Sequence, residues 1–177
     1  MLKAGGVKED SRMAKEDDIR LVIEQEKALV FPEFNEAIAF KIGSALREVG
    51  IANGHALAVD IRTGDRPLFY MALPGTSADN FYWLKRKSNL VHRVSKSSYR
   101  VVLEHPGPEQ YFGPRRALDN AEFAFAGGGF PVWVKSAGMI GSICVSGLHE
   151  RDDHRLAVAA ICDHLGLDKK ALTLPPL

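Results

Sequence analysis

Apolar residues recur at helical spacing from Asp17 onward. Ile19, Val22, Ile23 and Val30 share one face, and Asp17 and Asp18 stand where the helix dipole favours negative charge. Pro32 forbids continuation, so the helix must end before it. A second helix is predicted from Asn35, a good N-cap, through Ile38, Ile42, Ala45 and Val49 to the stop at Gly50. The period then falls to two. Leu57, Val59 and Ile61 alternate with Ala58, Asp60 and Arg62, and after Thr63-Gly64-Asp65-Arg66 a second alternating run covers residues 68–73. Two such runs about a short glycine-containing turn predict a hairpin. A third helix starts at Ser77 or Asp79 and runs to about Lys96, with a short fourth over Ser98–Glu104. Residues 105–123, with three prolines, two glycines and few apolar positions, read as an irregular excursion. A second hairpin is predicted over 130–134 and 139–145, and a last helix from Asp152 carries Val158, Ile161, Cys162 and Leu165 on one stripe before Gly166.

Hairpins separated by helices predict an α/β chain of the α+β kind: an antiparallel sheet with helices over it, not a doubly wound parallel sheet. A fifth strand is expected near Phe123-Ala124-Phe125. Residues 1–14 read as a flexible polar arm, and 15–177 as one domain. No repeat or low-complexity segment interrupts it.

Composition narrows the function classes. The chain has 177 residues, 46% hydrophobic and 25% charged, which suffices for one unstapled core. A net charge of +1 gives no general reason to expect nucleic acid. No apolar run approaches the roughly 20 residues of a membrane span, and the N-terminus lacks the apolar core of a secretory signal. The expectation is therefore a cytoplasmic protein with neither membrane nor nucleic-acid partners. Its two cysteines, Cys144 and Cys162, lie in apolar stretches and are expected as buried, reduced thiols.

Several stretches carry a family resemblance together. These are Asn80-Phe81-Tyr82-Trp83-Leu84-Lys85-Arg86-Lys87, Ser97-Ser98-Tyr99-Arg100 and Ala126-Gly127-Gly128-Gly129-Phe130-Pro131-Val132, followed by residues 138–148 and Asp153-His154. From about Asp17 to Leu167 the chain resembles the HbpS/GlcG-like ("haem-degrading domain") superfamily, within it a cytosolic branch. The resemblance implies a profilin- or PAS-like fold, a five-stranded antiparallel sheet with helices on both faces. It also implies assembly into a homo-oligomer and haem as the candidate cofactor. The apolar, proline-tipped tail over residues 172–177 adds a reason to expect a partner chain.

The sharpest chemical signal is the basic third helix. Between Ser77 and Arg100, Lys85, Arg86, Lys87, Arg93, Lys96 and Arg100 face a single acid, Asp79. Arg86 lies three residues after Trp83 and four after Tyr82, so stacking can hold its guanidinium with the fork open to a carboxylate. Lys87 adds charge, and Tyr99 another aromatic face. Arg86, Lys87, Trp83, Tyr82 and Tyr99 are thus the candidate ligand-binding set, in a pocket between the sheet and the basic helix. The same residues also suit a solvated face or a subunit contact. The glycine run reads as a bend that admits Phe130 to the sheet, because no Gly-Lys-Ser/Thr follows it. His149, Asp152, Asp153 and His154 cluster before the last helix, but Asp at a helix start is ordinary capping and no metal is expected. His55, His92, His105 and His164 are scattered and read as surface or packing residues. Ser146 sits in no nucleophile elbow, so no catalytic residue is nominated. Three functions stay open: binding of haem or another anionic aromatic ligand, an oligomeric assembly module without catalysis, and haem degradation.

Overall fold

The computed structural model describes residues 4–176, with side chains from residue 14. Of the arm expected over 1–14, residues 1–3 lie outside the described residues. Helix α1 runs Ala4–Ala28 and is followed by the two-residue strand β1, Val30–Phe31. Then come α2 (Glu36–Ala52), the hairpin β2 (Ala58–Thr63) and β3 (Arg66–Ala72), and α3 (Ala78–Val94). The chain continues through α4 (Ser98–Glu104), the single turn α5 (Pro108–Tyr111), the hairpin β4 (Gly129–Val134) and β5 (Gly138–Ser146), α6 (Glu150–Leu165) and α7 (Lys169–Leu172).

The five strands lie in the order β1-β4-β5-β2-β3. β2, β3, β4 and β5 pair antiparallel, while β1 joins β4 in parallel, with Val30 opposite Trp133 and Phe31 opposite Val134. The fifth strand is therefore Val30–Phe31, and the expectation of a strand near Phe123-Ala124-Phe125 is corrected. Two residues are too few to print a period, and Val30 mimics the stripe of the helix before it. Residues 123–125 instead continue the excursion beside α3, with the Ala124 amide donating to the Arg86 carbonyl at 3.1 Å.

Strand alternation divides the two faces of the sheet. Val59, Ile61, Phe130, Val132, Ile143 and Val145 point one way and form the main core with Ile42 and Leu46 of α2 and Val158 and Ile161 of α6. Their neighbours Ala58 and Cys144 point the other way, against Leu84 of α3. The local signals are satisfied in detail. Asn35 accepts the Ile38 amide at 3.0 Å, and Gly166 ends α6 in the left-handed region at φ 66°. The C-terminal tail folds back on its own chain. Leu174 is buried with Val22, Tyr99 and Leu103, and the carbonyls of Leu172, Leu174 and Pro175 accept from Gln25, Arg155 and Arg151. Leu174 is thus covered by its own chain, while Pro175 and Pro176 stay exposed. Among the described residues no helix is long and apolar enough to cross a membrane.

Candidate functional site

One face of α3 meets the sheet, and the contact is polar. Besides Leu84 and Val91, α3 buries Lys87 and Ser88, and the facing strands bury Asp60, Ser142, Cys144 and Ser146. Each polar group is matched, as burial demands. Lys87 Nζ donates to Asp153 Oδ2 and to the Val145 carbonyl, both at 2.9 Å. The Ser88 and Ser142 hydroxyls lie 2.7 Å apart, and Asn80 Nδ2 donates to Ser146 Oγ at 3.3 Å. Asp60 accepts both Nε (2.5 Å) and Nη2 (2.9 Å) of Arg62, which fixes the guanidinium in one plane. Burial raises the Asp153 carboxyl above the usual carboxylate range against the pull of Lys87, and pushes the Cys144 thiol up to about 12, so Cys144 is not a nucleophile at neutral pH.

The next face of α3 holds the excursion. Arg86, Asn89 and Arg93, spaced i, i+3 and i+7, donate to the carbonyls of Asn120 (3.1 Å), Glu122 (2.8 Å) and Arg116 (3.3 Å). Between this seam, Arg62 and the β2–β3 turn lies a cavity of about 430 Å³, also lined by Asp65, Ser88, His92 and Phe123. His92 Nδ1 lies 2.9 Å from the Ser88 carbonyl, which only accepts, so Nδ1 carries the proton. Nε2 is buried and without a hydrogen-bond partner. A ring whose Nδ1–H is held on a backbone carbonyl is the arrangement that orients metal-ligating histidines.

The residues nominated from sequence are distributed over four places. Trp83 and Arg86 meet: Cζ lies 4.1 Å from the ring centroid, while Trp83 Nε1 donates to Asp79 at 3.0 Å. Lys87 lies inside, in the ion pair with Asp153. Tyr82 is 58% exposed and turns towards Phe81, whose ring stands edge-on at 5.6 Å and in turn meets Tyr70 at 6.0 Å. Tyr99 is buried behind the sheet edge, donating to Asp18 at 3.1 Å beside the His154 ring. The acidic-histidine cluster is dispersed likewise. His149 caps α6, Asp153 pairs with Lys87, and His154 is buried against Gln25 at 2.7 Å, its pKa pushed down to about 3 by desolvation. Sequence reasoning missed His92, Arg62 and Asp153 as site residues. For His92 the one available signal was its place four residues after Ser88, on the face of α3 that turns to the sheet.

Residues 34–162 match the family described as haem degrading protein HbpS-like. A UPF0303 protein of Mesorhizobium japonicum is 54% identical over 162 residues, spanning 92% of this chain and 97% of that one. The crystal structure of the Ybr137w protein superposes with a TM-score of 0.75 at 24% identity, over 84% of this chain and 87% of that chain. That of a PduOC:heme complex superposes with a TM-score of 0.58 at 15% identity, over 73% of this chain and 93% of that chain. At such identities the structural likeness is one of fold. The match over most of the chain, together with the element order and sheet found here, means that this protein belongs to the HbpS-like family.

Proposed function

We propose that this protein binds a planar anionic ligand, haem foremost, in the cavity between β2, α3 and the excursion. One observation carries the reading: the buried, unpartnered Nε2 of His92, on a ring oriented through Nδ1 by the Ser88 carbonyl. The rest of the lining suits such a ligand. Arg62, fixed by Asp60, and Arg93 offer donors to carboxylates, and Phe123 supplies an aromatic wall. Bound haem would supply an iron centre. The chain's own part is to present the imidazole, grip the carboxylates and limit water. The family description and the heme bound to PduOC agree with this choice of ligand. The same reading puts the protein in the cytoplasm, where Cys144 and Cys162 stay reduced.

Titrating the full chain with hemin should give a saturable Soret shift at one equivalent, and a response that only rises linearly with hemin would contradict the proposal. Arg86 enters with two separable roles. It stands outside the cavity lining, so it acts as a carboxylate clamp only on a ligand that reaches past the cavity mouth; in that role Arg86→Ala weakens binding by about 1–3 kcal/mol with stability unchanged, and Arg86→Lys restores part of that. As the anchor of Asn120, its loss lowers the melting temperature instead. Thermal melts run beside the titration decide between the two.

A second reading, an assembly surface for a homo-oligomer, is favoured by the exposed ring chain Tyr70–Phe81–Tyr82 beside the edge strand β3. Phe81→Glu should then lower the sedimenting mass, and an unchanged mass would contradict it.

A further inference from the structure

We propose a second binding site, for an unbranched amphipathic carboxylic acid, in the cleft of about 610 Å³ between α2, α6 and α7. It is independent of the His92 cavity and does not rest on that reading. Its floor is apolar, with Leu46 and Val49 from α2 and Leu148 and Leu156 beside and on α6, while His55, Arg155 and Thr173 add polar groups to the lining. Ala159 and Ala160 keep the space between them open, since any larger side chain there would fill it. Val49 remains 39% exposed, so apolar surface lies uncovered in a single chain.

Length and charge choose the occupant. The α6 lining runs from Asp152 to Asp163, eleven steps of about 1.5 Å, so the trough is on the order of 16 Å long. Its rim acids are both neutralised, Asp152 by Arg155 at 2.7 Å and Asp163 by Lys169 at 2.8 Å. Lys170 has no ionic partner among the described residues and stands next to Lys169, at the α7 end. An apolar trough with an unmatched ammonium at one end is complementary to a medium-length hydrocarbon chain carrying one carboxylate. A neutral chain would forgo the pairing with Lys170, which otherwise faces solvent.

The test is calorimetric titration of the full chain with hexanoate, octanoate and decanoate below their micelle concentrations, with decanol as the uncharged control. Affinity should rise about two- to fourfold per added methylene until the trough is full. Lys170→Glu should weaken decanoate about tenfold while leaving decanol unchanged. Ala159→Trp, which fills the trough, should abolish both while leaving the hemin response intact. Absence of saturable decanoate binding, affinities that ignore chain length, or equal losses for decanoate and decanol in Lys170→Glu would each overturn the proposal. So would a fall in sedimenting mass on Ala159→Trp in a chain that never bound decanoate, because a second copy would then be the occupant.

Discussion

Changing Lys87 to alanine should destabilise the fold by about 3–5 kcal/mol, the usual effect of stranding one member of a buried ion pair, against a total of about 5–15 kcal/mol for a domain. Lys87 and Asp153 have side chains only 4% and 3% exposed and lie 2.9 Å apart. Without the ammonium, Asp153 keeps the Leu148 amide at 3.0 Å but loses the one cation that pairs with it among the described residues. The deficit has a pH signature. Burial already holds the Asp153 pKa above its unfolded value, so the folded state takes up the proton first. Stability from this group is present where Asp153 is protonated and is lost as pH rises through its folded pKa. Urea denaturation of Lys87→Ala should therefore show a midpoint that climbs as pH falls. Lys87→Met combined with Asp153→Leu should recover most of the loss, since a matched apolar pair leaves no buried charge. A pH-independent deficit, or a loss under 1 kcal/mol, would mean that the pair is not buried as described.

Gly128→Ala should be comparably severe, for a different reason. Gly128 has φ 113°, and a Cβ there would stand 2.5 Å from the Val145 carbonyl oxygen, 2.7 Å from Lys87 Nζ and 2.8 Å from Asp153 Cβ. Backbone strain and overpacking each contribute about 1–3 kcal/mol. The carbonyl cannot retreat, because the Val145 amide is bonded to the Gly128 carbonyl at 2.9 Å. Gly54 is the control: it also has positive φ, 63°, but nothing lies within 4 Å of the added carbon. Gly54→Ala should lose only the strain, about 1 kcal/mol. If the two variants melt alike, the close approach at Gly128 is not a feature of the protein in solution.

The glycine run shows how far sequence reaches here. Its reading as a bend leading Phe130 into the sheet describes the backbone correctly, since β4 opens at Gly129. Why the bend is needed was not legible, because Lys87 and Asp153, 66 residues apart, meet only in the folded chain. Element order followed from periodicity, which local side-chain direction imposes on every long helix and strand. β1 escaped because two residues carry no period. Asp153 looked like a capping residue and lies near a helix start, yet its carboxylate faces inward to Lys87. Arg86 and Trp83 are three apart on one helix, so their contact could be read directly. The His92 site could not. Its chemistry depends on the Ser88 carbonyl, on Arg62 from a distant strand and on the excursion that α3 holds in place.

Hemin titrations of His92→Ala and His55→Ala, run side by side, decide whether His92 is the residue that meets the ligand. His55 lines the other cleft, so its removal leaves the proposed cavity whole. His55→Ala should keep the saturable Soret shift of the unaltered chain. His92→Ala should lose that shift at equal folded concentration and recover it when free imidazole is added. A shift that survives in His92→Ala would mean that His92 does not hold the ligand.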